Sequence, residues 1–162
     1  MWTQIQLRQM FDFDAKSGQL IWKYDSDKPL RWNSRCVGKA AGSNRHKYIA
    51  VGIYGVKYYA HRLIWIYLYG YDPIDIDHID GDSLNNRPEN LREATSSQNI
   101  ANANFRPGRG VEAHGARYRA RIMVQGNRLE LGSFDSFEEA NTAYQEAADK
   151  YFGEFAQHNR AA

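Results

Sequence analysis

Residues 77–99 read DHIDGDSLNNRPENLREATSSQN, and the reading of this stretch decides how the chain is built. It begins on the last two residues of an alternating run, IDIDH (74–78), and passes through a turn-rich loop, IDGDSLNNRPEN (79–90). A second short strand pattern, LRE (91–93), follows, and Thr95 and Gln98 then stand in the S/T-x-x-E/Q spacing of a capping box. Strand, loop, strand and helix are expected in that order, the helix starting at about Ser96 with Asn99 in its first turns. If the strands pair and the helix packs across them, Asp77, His78 and Asn99 bring a carboxylate, an imidazole and a carboxamide to one place.

Asp and Asn oxygens are hard ligands, suited to a magnesium-type ion that keeps several waters and is completed by phosphate oxygens. A histidine with an unperturbed pKa of about 6.5 is largely neutral near pH 7 and able to take a proton from water. A metal that polarises a phosphoryl group with a base beside it amounts to a phosphodiesterase. A calcium loop fails on register: with Gly81 in the glycine place, Ile76 and His78 would fall on ligand positions and Arg87 on the glutamate's. A zinc site lacks cysteines and a second nearby histidine. Residue types alone leave open a plain polar turn with an incidental histidine.

Upstream, KYIAVGIYG and VKYYAHR form a hairpin pattern around a Tyr-Gly turn, and HRLIWIYLYG reads as a buried helix closed by Gly70 with Pro73 beyond it. The start, TQIQLRQMF, suits a short helix capped by Thr3, followed by the turn DAKSGQ and the strand LIWKY. From Asp25 to Asn44 the pattern is weak, and KAAGSNRH reads as loop. Downstream, NANFRPGRG reads as a linker over Asn102–Gly110. Three strands follow, GVEA, ARYRARIMVQ and RLELGSF, and then a helix with Ser136 and Glu139 in capping-box spacing. Phe137, Ala140, Tyr144, Ala147, Ala148 and Tyr151 lie on one face of that helix before Gly153.

The charge is unevenly placed. From Phe105 to Ser133 there are six Arg/Lys and two Asp/Glu, and from Phe134 to Ala162 two and six, whereas the whole chain of 162 residues carries only +2. Strand alternation puts Arg117, Arg119 and Arg121 on one face and Tyr118, Ala120 and Ile122 on the other. Across the Gly126-Asn127 turn, Arg128 and Glu130 join the polar face. Such a face can be a solvated sheet surface or can enter the major groove of double-stranded DNA. A single cysteine, Cys36, excludes an internal disulfide framework, and no apolar run approaches the length of a membrane span. The expected setting is therefore cytoplasmic, with no membrane partner and no obligate protein partner evident.

The segment AHRLIWIYLYGYDPIDIDHIDGDSLNNRPENLREATSSQN resembles the core of the HNH endonucleases, the ββα-metal nucleases, and is most similar to the phage-type homing endonucleases. The resemblance implies that His78 is the general base and that Asp77 and Asn99 hold one Mg2+ or Mn2+. It implies too that Asn90 keeps the base-bearing loop in shape, and that cleavage leaves a 5′-phosphate and a 3′-hydroxyl. Asn99 stands where many members have histidine. Arg87 and Arg92 are candidates for phosphate contacts, and His61 reads as a structural histidine at a strand-to-helix junction.

The segment RGVEAHGARYRARIMVQGNRLELGSFDSFEEANTAYQEAADKYFG is similar to the AP2/ERF DNA-binding domain, through Leu131, Gly132, Phe134, Glu138, Glu139, Ala140, Tyr144, Ala147 and Ala148. By position that resemblance favours Arg109, Arg119, Arg121, Arg128 and Glu130 as DNA contacts, with Arg117 on the same face. The expected fold class is α+β: a lead-in unit (1–44), a ββα-metal core (45–104) and a three-stranded antiparallel sheet packed on one helix (105–162). The expected activity is a phage homing or free-standing DNA endonuclease in the host cytoplasm. The rival reading is a non-catalytic DNA-binding regulator with an inactive HNH scaffold.

Overall fold

The computed structural model describes residues 1–102 and 108–156. They divide into two compact units, Met1–Glu93 and Ala94–Ala162. Among the described residues the fold is mixed α and β, with four small sheets, and no helix is long and apolar enough to cross a membrane.

In the first unit, helix α1 (Gln4–Met10) starts at a capping box in which the Thr3 hydroxyl accepts from the Gln6 N–H and the Gln6 carboxamide accepts from the Thr3 N–H. Strands β1 (Phe11–Asp14) and β2 (Gln19–Trp22) make an antiparallel hairpin, and α2 (Leu30–Cys36) follows. A three-stranded antiparallel sheet comes next: β3 (Ser43–Arg45), β4 (Tyr48–Ile53) and β5 (Val56–Tyr59). Tyr54 and Gly55 turn β4 into β5 with positive φ at both, the turn that matches strand twist. Helix α3 (Ala60–Tyr69) ends at Gly70, whose φ of 84° is a left-handed cap.

One core joins these pieces. Leu7, Phe11, Leu20, Val51, Leu63 and Ile64 are all at most 2% exposed and share a single cluster, so residues 1–44 are packed into the same body as the sheet and helix that follow. Gln4 adds a polar tie by donating to the last carbonyls of α3, Tyr67 and Leu68, at 3.0 Å each. Strand β6 (Asp75–His78) pairs with β7 (Leu91–Ala94), and the Pro88–Asn90 segment between them makes one 3₁₀ turn. The boundary between the two units falls within β7.

In the second unit, α4 (Ser96–Asn102) has the expected box: the Gln98 side chain accepts from the Thr95 N–H at 2.8 Å and the Thr95 hydroxyl from the Gln98 N–H at 3.3 Å. Of the linker read over Asn102–Gly110, residues 103–107 lie outside the described residues, and Asn102 belongs to α4. Strands β8 (Val111–His114), β9 (Arg117–Val124) and β10 (Asn127–Phe134) form an antiparallel sheet with β9 central. Helix α5 (Phe137–Phe152) packs on its inner face, burying Ala140, Ala147, Ala148 and Phe152 in a core that includes Ile122. A bulge between Glu130 and Gly132 shifts the β9–β10 register.

Candidate functional site

The loop between β6 and β7 is built around one carboxylate. Asp80 Oδ1 accepts from the Asp82 N–H at 2.8 Å and from Asn90 Nδ2 at 2.9 Å, and Asp80 Oδ2 accepts from Asn85 Nδ2 at 2.7 Å. Asn90 is buried and closes the loop from the other end, its Oδ1 accepting from the Asp80 N–H and its Nδ2 also donating to the Asn85 carbonyl. Burial would raise the Asp80 carboxyl, but the hydrogen bonds from Asn85, Asp82 and Asn90, with the nearby His78 ring, bring it below its ordinary value.

His78 ends β6 and is 7% exposed. Its Nε2 lies 3.0 Å from Oδ1 of Asn86, itself only 1% exposed. Read with Nε2 donating to that amide oxygen, the ring is the tautomer whose lone pair sits on Nδ1. His61, from the start of α3, packs edge-on against the His78 ring with centroids 5.3 Å apart at 81°, and Tyr48 and Tyr59 flank it at 5.3 and 5.7 Å. Burial, then the neighbouring His78 and Arg62, push the His61 pKa down to about 3, so this ring is a neutral aromatic wall.

Asp77, 3% exposed, is held by Arg92: Nε and Nη2 each reach Asp77 Oδ2 at 2.8 Å. The loop is also anchored to earlier parts of the first unit. Arg87 Nε donates to the Lys16 carbonyl at 2.6 Å, Ser83 Oγ donates to the Lys47 carbonyl, and Gly18, at φ +68°, packs so tightly that a Cβ there would lie 2.5 Å from the Asn86 carbonyl carbon. The first unit thus brings together Asp77, His78, Asn86, Asn90 and Arg92, while the half-buried Asn99 is carried by α4 of the second. Sequence reading missed Asn86, for which the doubled asparagine in SLNNRP was the available signal, and placed His61 outside the site.

A magnesium-type ion asks for hard oxygen donors, and the Asp77 carboxylate and Asn99 amide are of that kind. Among the described residues no three His, Cys, Asp or Glu side chains converge.

On the C-terminal sheet, Arg117 and Arg121 make ion pairs with Asp135 at 3.0 Å and Glu112 at 2.7 Å, and Arg128 lies 3.7 Å from Glu130. Arg119 lies between Arg117 and Arg121 on the face opposite the buried Ala120 and Ile122. Arg109 points elsewhere: its Nη1 donates to the Ile100 carbonyl at 3.0 Å, near the end of α4. Arg87 and Arg92 are engaged within the first unit as described above.

Comparison with known proteins places a family on this geometry. Residues 58–101, from β5 through the loop into α4, match the HNH endonuclease family and are an HNH endonuclease domain. The chain is also 36% identical over 107 residues to an uncharacterized HNH endonuclease of Acanthamoeba polyphaga mimivirus, a match that covers 62% of this chain. The matched region spans only 56% of that viral relative's length. No solved structure matches the chain significantly.

Proposed function

We propose that this chain is a metal-dependent DNA endonuclease that hydrolyses phosphodiester bonds to 5′-phosphate and 3′-hydroxyl ends, of the phage homing or free-standing kind. The observation that carries this reading is the His78–Asn86 hydrogen bond, made beside the Asp77–Arg92 pair inside the span that the HNH endonuclease family matches. A buried amide oxygen 3.0 Å from Nε2 orients the imidazole, which would take a proton from the attacking water. Asn90 serves by holding Asp80 and the loop backbone, so the base stays in place between turnovers.

Asp77 and Asn99 would hold the magnesium or manganese ion, which when bound polarises the scissile phosphoryl group as a Lewis acid. Arg92 fixes the Asp77 carboxylate by charge-assisted hydrogen bonds. The AP2-like sheet brings double-stranded DNA to the site through Arg117, Arg119, Arg121, Arg128 and Glu130. Its exposed ion pairs are worth little in water and exchange readily for phosphate or guanine contacts. Arg87, Arg92 and Arg109 act by positioning the loop, the carboxylate and α4.

The test is incubation of the protein with linear phage DNA in magnesium, in manganese and in EDTA. Cutting in either metal, to fragments that DNA ligase rejoins without kinase treatment, is the expected result. Binding without cutting under every metal leaves the DNA-binding regulator as the surviving account.

A further inference from the structure

The first 47 residues contain nine Lys/Arg and four Asp/Glu, an excess of five positive charges in a chain whose total is +2. Much of this charge is unpaired. Arg31 and Arg35 stand one turn apart on α2, both exposed, and with exposed Lys39 just beyond they have no acidic partner among the described residues. Exposed, unneutralised cations on one short stretch are what a phosphate backbone seeks.

Beside them is a cavity of about 450 Å³, in the size range of a small-ligand site, walled by Trp22, Trp32, Tyr24 and Tyr54 with Lys23 and Lys28. The wall is preformed. Asn33, 5% exposed, fixes the 25–28 loop by accepting from the Asp25 N–H at 3.1 Å and donating to the Asp25 and Lys28 carbonyls at 2.8 and 3.3 Å. Tyr54 is 68% exposed on a backbone with φ 49°, and the Lys28 ammonium sits 4.1 Å over its ring. Trp22 and Trp32 meet edge-on at 5.1 Å. Asp25 and Asp27 also line the space and offset Lys23 and Lys28, so the lining carries no net charge and suits a neutral planar group with hydrogen-bonding edges.

We propose that this aromatic cavity takes an unpaired base of a DNA strand while Arg31, Arg35 and Lys39 hold the flanking phosphates. Aromatic side chains stack on bases irrespective of sequence, and taking one base out of the stack is least costly where the duplex is already bulged or open. The position suits a substrate shared with the catalytic loop. Tyr48, against His61, begins β4, and Tyr54 follows its end, so the two sites are about 20 Å apart along one strand, the length of about six base-pair steps. The inference rests on DNA being the substrate, and not on which residues cut it.

The experiment uses the full chain carrying His78→Ala, in EDTA, so that cleavage plays no part. Binding of a labelled duplex and of the same duplex with one bulged base is measured by anisotropy over a salt series. Tyr54→Asn removes the aromatic wall with a residue that accepts positive φ, and Arg31→Ala with Arg35→Ala removes phosphate contacts. The expected result is that the parent prefers the bulged duplex, that Tyr54→Asn weakens the bulged duplex about tenfold and leaves the paired one unchanged, and that the double variant lowers the salt slope by about 1–2. No preference in the parent, or bulged-duplex binding unchanged in both variants, overturns the proposal. An Arg119→Ala, Arg121→Ala arm reports on the C-terminal sheet separately, so loss there with no change at Tyr54 contradicts this cavity and not the sheet.

Discussion

Both Nε and Nη2 of Arg92 lie 2.8 Å from Oδ2 of Asp77, and the two side chains are 13% and 4% exposed. An ion pair this well buried is costly to break from one side, because the remaining charge keeps its desolvation penalty. Arg92→Ala is expected to lower stability by about 3–5 kcal/mol in urea unfolding. If Arg92 instead served DNA phosphates, the variant would keep its stability and lower the salt slope of DNA binding by about 1.

Asn86 is expected to matter for turnover more than for binding. Asn86→Ala removes the group that orients the His78 ring, and cleavage should fall about 100-fold with DNA affinity unchanged. Single-turnover rates and gel shifts on the same preparations check this, and an equal loss in both would make Asn86 a folding residue only.

Gly18 packs backbone to backbone against the loop between β6 and β7. A Cβ would lie 2.5 and 2.6 Å from backbone atoms of Asn86 and Arg87, at a φ of +68° that strains any L side chain. Gly18→Ala is expected to cost about 1–3 kcal/mol and to slow cleavage by displacing Asn86. Unchanged activity in a folded variant would show that the β1–β2 turn does not set the loop.

His61 yields a pH-dependent test. Its folded pKa is about 3 against 6.5 unfolded, so between those values the unfolded chain binds a proton that the folded chain does not. The stability is complete above pH 6.5 and is lost as pH falls toward 3, at up to about 1.4 kcal/mol per pH unit. Comparing wild type with His61→Asn in urea, the difference should move against wild type by about 2 kcal/mol from pH 7 to pH 5. A difference independent of pH would mean that the ring is protonated or solvated in the fold.

Elements with a local signature were legible in the sequence. The Thr3, Thr95 and Ser136 caps, the Tyr54-Gly55 hairpin turn, the Gly70 stop and the two-residue alternation of Arg117, Arg119 and Arg121 are short-range patterns, and each has its counterpart in the structure. Short elements without a strong cap or a long period were not. Helix α2 has Pro29 at its cap, no acid in its first turn and seven residues, and it is tied down by Asn33 reaching Asp25 and Lys28. Strand β3 is three residues long and exposed throughout, and β1, although Phe11 and Phe13 alternate with aspartates, is only four residues long. The same holds at the site. Asp77 and His78 stood out by residue type and Asn90 through the family resemblance, whereas the Asn86 hydrogen bond, the Arg92 pair and the His61 contact arise only when β6, β7, α3 and the loop come together.

The measurement that bears most directly on the central claim is relaxation of supercoiled plasmid by wild type and by His78→Ala, in magnesium or manganese, with matched unfolding curves and DNA affinities. The account predicts metal-dependent cutting by wild type and a loss of at least about 100-fold in the variant, with affinity retained. Equal cutting by the two proteins, or no cutting by wild type in any metal while it still binds DNA, would contradict it.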